Sequence, residues 1–206
     1  MCGIVGLYLK NLDLESLLGA SFAPMLIGMT DRGPDSAGFA IYGNEVDKGQ
    51  IKVTCMHEDA AYDWDGTARE LQVLFKSNVS VLRNANAAVL KLAAEDDEVR
   101  GFFAEKHPDV SVMSVGRSIQ ILKETGLPSA IVKRFKLPGM KGSHIIGHTR
   151  MATESAVTTE GSHPFSTGLD LCLVHNGSLS NHNRLRENLK REGIHFETDN
   201  DSEVAA

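Results

Sequence analysis

The chain begins MCGIVGLY. Termini are where disorder usually gathers, yet Gly3 to Leu9 reads as a buried strand: short, apolar, and carrying glycines where another backbone or a ligand can come close. A chain whose third residue already belongs to a core strand must fold around its own beginning. Cys2, directly in front of that strand, is then either tucked in or part of the working machinery.

The rest of the chain supplies further elements. Leu14, Leu17, Leu18, Phe22, Met25, Leu26 and Met29 recur at three- and four-residue steps, the stripe of an amphipathic helix, with Pro24 as the point of strain. Gly33 and Pro34 break it. Residues 38–43 and 51–55 read as two strands joined through Gly43, Asn44 and Gly49. From about 57 to 140 the pattern favours short helices, at Ala68 to Lys76, Ala85 to Glu95 and Arg117 to Glu124. Strands return at 144–148 and 169–175. A helix over 181–193 buries Leu185 and Leu189 and stops at Gly193. The ending TDNDSEVAA reads as a helix cut short, so a longer natural chain is expected.

Composition narrows the function. With 206 residues, 42% hydrophobic and 23% charged, the chain suits one globular domain with a substantial core. A net charge of -6 argues against a nucleic-acid backbone as partner, which would call for clustered Lys and Arg. No apolar run reaches the roughly 18 to 20 residues of a membrane span, and the N-terminus lacks a secretory pattern. A cytoplasmic protein is expected, with no membrane. Three widely spaced cysteines, Cys2, Cys55 and Cys172, suit reduced thiols, and Cys55 and Cys172 have core contexts.

Removal of Met1 would leave Cys2 with both a thiol and a free α-amine. The amine's pKa of roughly 7.7–8.0 leaves a useful fraction neutral near pH 7, so nucleophile and base would share one residue. Four more stretches follow MCGIVG in order: DRGPDSAG (31–38), GHTRMAT (147–153), LVHNGSLSNH (173–182) and DNDSEV (199–204). Together these resemble the class II glutamine amidotransferases, the N-terminal-nucleophile glutaminases, over roughly 1–56 and 143–206. The resemblance implies one domain over 1–206 with an inserted helical region at about 57–140. It implies an α+β fold, a four-layer α/β/β/α sandwich with Cys2 at the end of a central strand.

The same resemblance assigns roles. Cys2 would attack the glutamine side-chain carbonyl, with the Asn176 amide and the Gly177 N–H as oxyanion hole; an Asn-Gly hairpin turn is the competing reading. Arg150 would clamp the substrate carboxylate, against a surface salt bridge. Asp201 would take the α-ammonium, against a helix N-cap with Glu203 as first-turn acid. Arg32, Asp35 and Thr149 would support the wall beside Cys2, although a turn stapled by its own Arg32 and Asp35 would look alike. A zinc site on His144 and His148 is disfavoured, since a strand holds residues four apart about 13 Å from each other. ETDNDSE lacks the frame of a calcium loop. The sequons at Asn78 and Asn176 should stay bare without a secretory signal.

Two departures stand out. Met151 and Glu154 replace the tryptophan and histidine usual in the sugar-phosphate branch, and the long middle region is more similar to stand-alone subunits related to glutamate synthase, such as that of N-methylglutamate synthase. With no phosphate-cradling loop, no metal set and no cofactor motif, the acceptor chemistry is expected in sequence beyond residue 206 or in a separate synthase subunit, flavin- or iron-sulfur-bearing, within a hetero-oligomer. A catalytically silent scaffolding subunit and a free-standing amidohydrolase are the alternatives.

Overall fold

Leu18, Phe22 and Leu26 recur at four-residue steps and are fully buried, which is why Leu18–Ile27 forms a helix, α1, with Pro24 inside it. The computed structural model describes residues 2–152 and 156–206. α1 packs on one face of a four-stranded antiparallel sheet made of β1 (Gly3–Tyr8), β2 (Ser36–Tyr42), β7 (Ile119–Thr125) and β8 (His144–Arg150), in the order β1-β8-β2-β7. Gly147 makes room for the helix: a Cβ there would lie 2.8 Å from the Phe22 ring. A second helix, α4 (Pro128–Arg134), covers the same side, and its end residue Phe135 meets Phe39 edge-on at 6.3 Å.

A second antiparallel sheet holds β3 (Ile51–Met56), β4 (Ser80–Asn84), β5 (Ala87–Leu92) and β6 (Ser111–Gly116), in the order β4-β5-β3-β6. Its outer face has a core of its own with α2 (Trp64–Phe75) and α3 (Asp96–Lys106), centred on Trp64, Leu71, Phe103, Val53 and Leu90. A short hairpin, β9 (Phe165–Gly168) and β10 (Leu171–Leu173), follows. Asp170 in its turn accepts from the N–H groups of Arg117, Ser118 and Ile119, tying hairpin to the β6–β7 turn. The chain ends with α5 (His182–Arg191) and α6 (Asp201–Ala205). The architecture is mixed, with antiparallel sheets, as an α+β fold requires.

Several expectations are corrected. Ala85 to Glu95 is a strand: Ala85, at φ +57, and Asn86 make a two-residue turn, and Ala88, Leu90 and Leu92 alternate into the α2–α3 core. Arg117 to Glu124 is also largely a strand, with Ile119 and Ile121 buried, and it pairs with β2 in the first sheet. In both, helix propensity gives way to a period-2 face that only the sheets can bury. The region 57–140 is therefore not chiefly helical. The two strands expected at 38–43 and 51–55 are present as β2 and β3, and they lie in different sheets. β1 pairs only with β8 among the described residues, so the strand behind Cys2 is an edge strand, not a central one. The strand expected at 169–175 is limited to Leu171–Leu173.

The helix stripe begins later than expected. Leu14 and Leu17 lie in a 3₁₀ turn and, like Met25, are exposed. On α5 the buried residue is Arg186, while Leu185 is exposed and Leu189 only half-buried, because the helix packs on the polar 198–200 segment. Gly193 does close α5: at φ +91 it gives its N–H to Lys190, and Ile194 reaches back to Leu189. Cys55 is buried as expected, and Cys172 is half-buried, 3.5 Å from the Tyr42 hydroxyl. No helix of the described residues is long and apolar enough to cross a membrane.

Truncating Phe22 to Ala should remove about 3–5 kcal/mol of stability, the usual cost of a large core cavity, visible as a lower urea midpoint with unchanged slope. A loss under about 1 kcal/mol would mean the α1 face is not the core that supports the first sheet.

Candidate active site around Cys2

Strand register brings the ends of the chain together. Gly3 and Ala37 both pair with Thr149, and Ser36 pairs with Arg150, so Cys2 lies level with Arg150. Alternation turns Thr149 toward the helices, where its hydroxyl donates to the Met29 carbonyl at 3.1 Å, and turns His148 and Arg150 to the opposite face. The 31–35 loop lies directly on this strand end. A Cβ on Gly33 would sit 2.4 Å from the Thr149 carbonyl, so only glycine permits the approach. Arg32 Nε donates to the Cys2 carbonyl at 3.3 Å, and an Asp35 carboxylate oxygen accepts from the Ala152 N–H at 2.8 Å. Each thus holds a different neighbour of the site, which a self-stapled turn would not do.

The Asn176 amide also donates to the Cys2 carbonyl, at 3.0 Å across 174 positions of sequence. The hairpin reading of Asn176-Gly177 fails on geometry. The β9–β10 turn lies upstream, and Gly177 is not among the positive-φ glycines that an Asn-Gly hairpin turn needs. For Asp201, the helix cap proves to be its neighbour: Asn200 Oδ1 accepts the Ser202 N–H at 2.9 Å. Asp201 is instead the first residue of α6, and its carboxylate accepts the Leu179 N–H at 2.6 Å. Glu203 does act as the first-turn acid, accepting from the N–H groups of Glu197 and Thr198.

Cys2, Arg150, Gly177 and Asp201 line one cavity of about 90 Å³. Asn176 is turned to the Cys2 carbonyl, and Arg32, Asp35 and Thr149 stand behind the wall. A larger cavity of about 520 Å³, with Met56, Asn86, Glu124 and Arg134 in its walls, contains none of these residues. Arg150 is almost fully buried and donates to the Ala156 carbonyl at 3.0 Å. Burial lowers its affinity for its proton, and the nearby Cys2, Asp35 and Asp201 work the other way. Met1 and Glu154, on which the processing of the N-terminus and one departure rest, lie outside the described residues.

Sequence reasoning missed three histidines at this site. His163, His175 and Ser202 also line the cavity, and His148 lies behind them. His163 stacks on His148 with centroids 4.1 Å apart. His148 Nε2 donates to the His175 carbonyl at 3.0 Å, and His175 Nδ1 meets the Ser202 hydroxyl at 3.0 Å. Burial pushes His148 down to about 4 and His163 to about 2, so both rings are neutral at pH 7. Their sequence signal was the recurrence of His in the GHTR, SHPF and VHNG stretches. The sequence brings forward only His144 and His148, as a disfavoured zinc pair; in the fold His144 stacks on Tyr42.

A sequence profile described as a glutamine amidotransferase domain matches residues 139–206. The chain is 55% identical over its whole length to the glutamine amidotransferase-like protein GlxB of Rhizobium meliloti, covering 68% of that protein. It is 33% identical, over 98% of its length and 70% of the relative's, to a putative glutamine amidotransferase of Methanothermobacter thermautotrophicus. Over 60% of its length it is 35% identical to 20% of the glutamine–fructose-6-phosphate aminotransferase of Methanosarcina mazei. The sheet end that gathers a cysteine, an arginine and an aspartate is thus that of an amide-handling enzyme class, and the chain belongs to the glutamine amidotransferase family.

The two buried histidines make stability fall with acid. Unfolded, each would bind a proton below about pH 6.5; folded, they resist it to about 4 and about 2. Their stabilising effect is complete above pH 6.5 and declines as the pH drops, with a slope of up to about 2.7 kcal/mol per pH unit between pH 6 and 4 if both take part. Urea melts across that range should show the decline, and a His163→Phe protein should lose about half of it. An equal slope in both proteins would count against neutral buried rings.

Proposed function

We propose that this chain is the glutaminase component of a class II, N-terminal-nucleophile amidotransferase, with Cys2 as nucleophile once Met1 is removed. The observation that carries this reading is the convergence of Cys2, Arg150, Gly177 and Asp201, from four separate parts of the chain, on one cavity. A glutamine presents a carboxylate, an ammonium and an amide carbonyl. A buried guanidinium, a carboxylate and a thiol beside amide donors answer these three groups in turn. The α+β fold, with its N-terminal strand leading out of the cysteine, is compatible with the four-layer sandwich of that superfamily.

In the proposed reaction the Cys2 thiolate attacks the side-chain carbonyl carbon of glutamine. The C–S bond forms, and the oxygen takes the negative charge near the Asn176 amide and the Gly177 N–H. As the C–N bond breaks, ammonia leaves with the proton that the Cys2 α-amine had taken from the thiol. Water then hydrolyses the γ-glutamyl thioester to glutamate, restoring the thiol. Arg32 and Asn176, both on the Cys2 carbonyl, would keep the nucleophile's backbone fixed during both steps. This half-reaction draws on no metal or organic cofactor from the chain.

Ammonia released to solvent is trapped as ammonium, so the product is best passed to a second site. We place that site on a separate synthase subunit in the cytoplasm, glutamate-synthase-like and flavin- or iron-sulfur-bearing, with the N-methylglutamate synthase type as the specific candidate. The long middle region supports a stand-alone subunit of this kind.

Intact mass of the purified protein, with and without 6-diazo-5-oxo-norleucine, tests the reading. Loss of Met1 and one adduct on Cys2 are expected, with glutamate formed from glutamine. An Asn176→Ala protein should lose roughly 10²–10³-fold in kcat, the usual cost of one oxyanion donor. Retained methionine, no adduct and no glutamate would instead favour a scaffolding subunit.

A further inference from the structure

Lys123 lies in the middle of β7 and is 5% exposed, an uncommon place for an ammonium. Strand pairing explains where it points. Lys123 and His148 both pair with Gly38, one from each side, so the two share the sheet face that carries Arg150. Gly38 leaves that face bare between them: a Cβ there would lie 2.3 Å from the His163 carbonyl and 2.4 Å from Lys123 Cβ. Into the gap descends the strap of residues 156–163. Lys123 Nζ donates to the carbonyls of Glu160 and Ser162, both at 2.8 Å, and stands 4.6 Å over the Phe165 ring.

The strap is in contact with Arg150 and with Asn200, the residue next to Asp201. Arg150 donates to its Ala156 carbonyl at 3.0 Å. Asn200, the cap of α6 and the neighbour of Asp201, donates to its Gly161 carbonyl at 2.9 Å. We propose that Lys123 is a positioning residue for glutamine binding, fixing through Glu160 and Ser162 the strap that aligns Arg150 with Asp201. This rests on the glutaminase reading above. Lys123 never meets the substrate; it decides whether the two groups that bind carboxylate and ammonium are the right distance apart.

The charge state of Lys123 supports a pH signature. Burial brings its pKa down to about 8, against Glu197, Glu160 and Glu203, which hold it up. His163 faces it as well, and Arg100 and His195 line the cavity on its far side. Above that pH the amine donates to the two carbonyls without a charge, and such hydrogen bonds are roughly half as strong.

The test uses the full chain with Cys2→Ala, so that binding is read without turnover, and glutamine as titrant in a calorimeter. Lys123→Met should raise the glutamine Kd about tenfold or more at pH 7, as expected when a clamp loses alignment. Binding to the Lys123-containing protein should weaken as pH rises through 8, and Lys123→Arg, which stays charged, should retain affinity without that weakening. The α-amine is common to all these proteins and cancels in the comparison. An unchanged Kd in Lys123→Met, with or without a lower melting temperature, overturns the positioning role and leaves the glutaminase reading intact. So does a Lys123→Arg protein that weakens above pH 8 as its parent does, which decides the matter even if Lys123→Met fails to fold. If no protein of the set binds glutamine, both fall.

Discussion

The pairing of β8 between β1 and β2 is the constraint on which the site depends. A single antiparallel register sets Gly3 and Ala37 opposite Thr149, and with it Cys2 level with Arg150. Slipping that register by one residue would turn every side chain of β8 over, sending Arg150 toward α1 and Thr149 into the cavity. The slip is prevented from the helix side. Phe22 occupies the space above Gly147, and Gly33 sits where any side chain would strike the Thr149 backbone. Apolar packing on one face of the sheet thus dictates chemistry on the other.

The polar face has the opposite character. It is assembled from buried charged and hydrogen-bonding groups, Lys123, His148, Arg150, His163 and Arg186, each meeting backbone carbonyls or a stacked ring. Arg186 holds the carbonyls of Thr198 and Asn200 much as Lys123 holds those of Glu160 and Ser162. Asn200 joins the two held segments through Gly161. Loops without regular structure can be placed this accurately only when their carbonyls have partners fixed elsewhere.

The sequence was most legible where its signal was local. The N-terminal strand, the strand before Arg150, α2 and the glycine stop of α5 could be read from runs and punctuation, and the short motifs pointed to a common site. It was misleading where propensity and burial disagree. Ala-rich 85–95 and Lys-bearing 117–124 carry helix formers, yet their alternating residues are buried by sheets that form from distant segments. The stripe of α5 failed for a related reason: its inner face looks onto carbonyls, so an arginine is buried and a leucine is left outside. The histidines at the site and Lys123 could not be ranked from sequence, because their meaning comes from Gly38 and a strap that crosses it.

The hydrogen bond from Asn176 to the Cys2 carbonyl has a temporal consequence. Domains emerge from the ribosome N-terminus first, at roughly 5–20 residues per second. At that rate about ten seconds or more separate the synthesis of Cys2 from that of residue 176, and α6 is completed later still. Throughout that interval the nascent chain carries Cys2 without the Asn176 donor that its carbonyl meets in the folded protein. By the same distribution, a single backbone cut between the strap and Asn176 leaves Cys2 joined to the far side of the cavity by packing and hydrogen bonds alone.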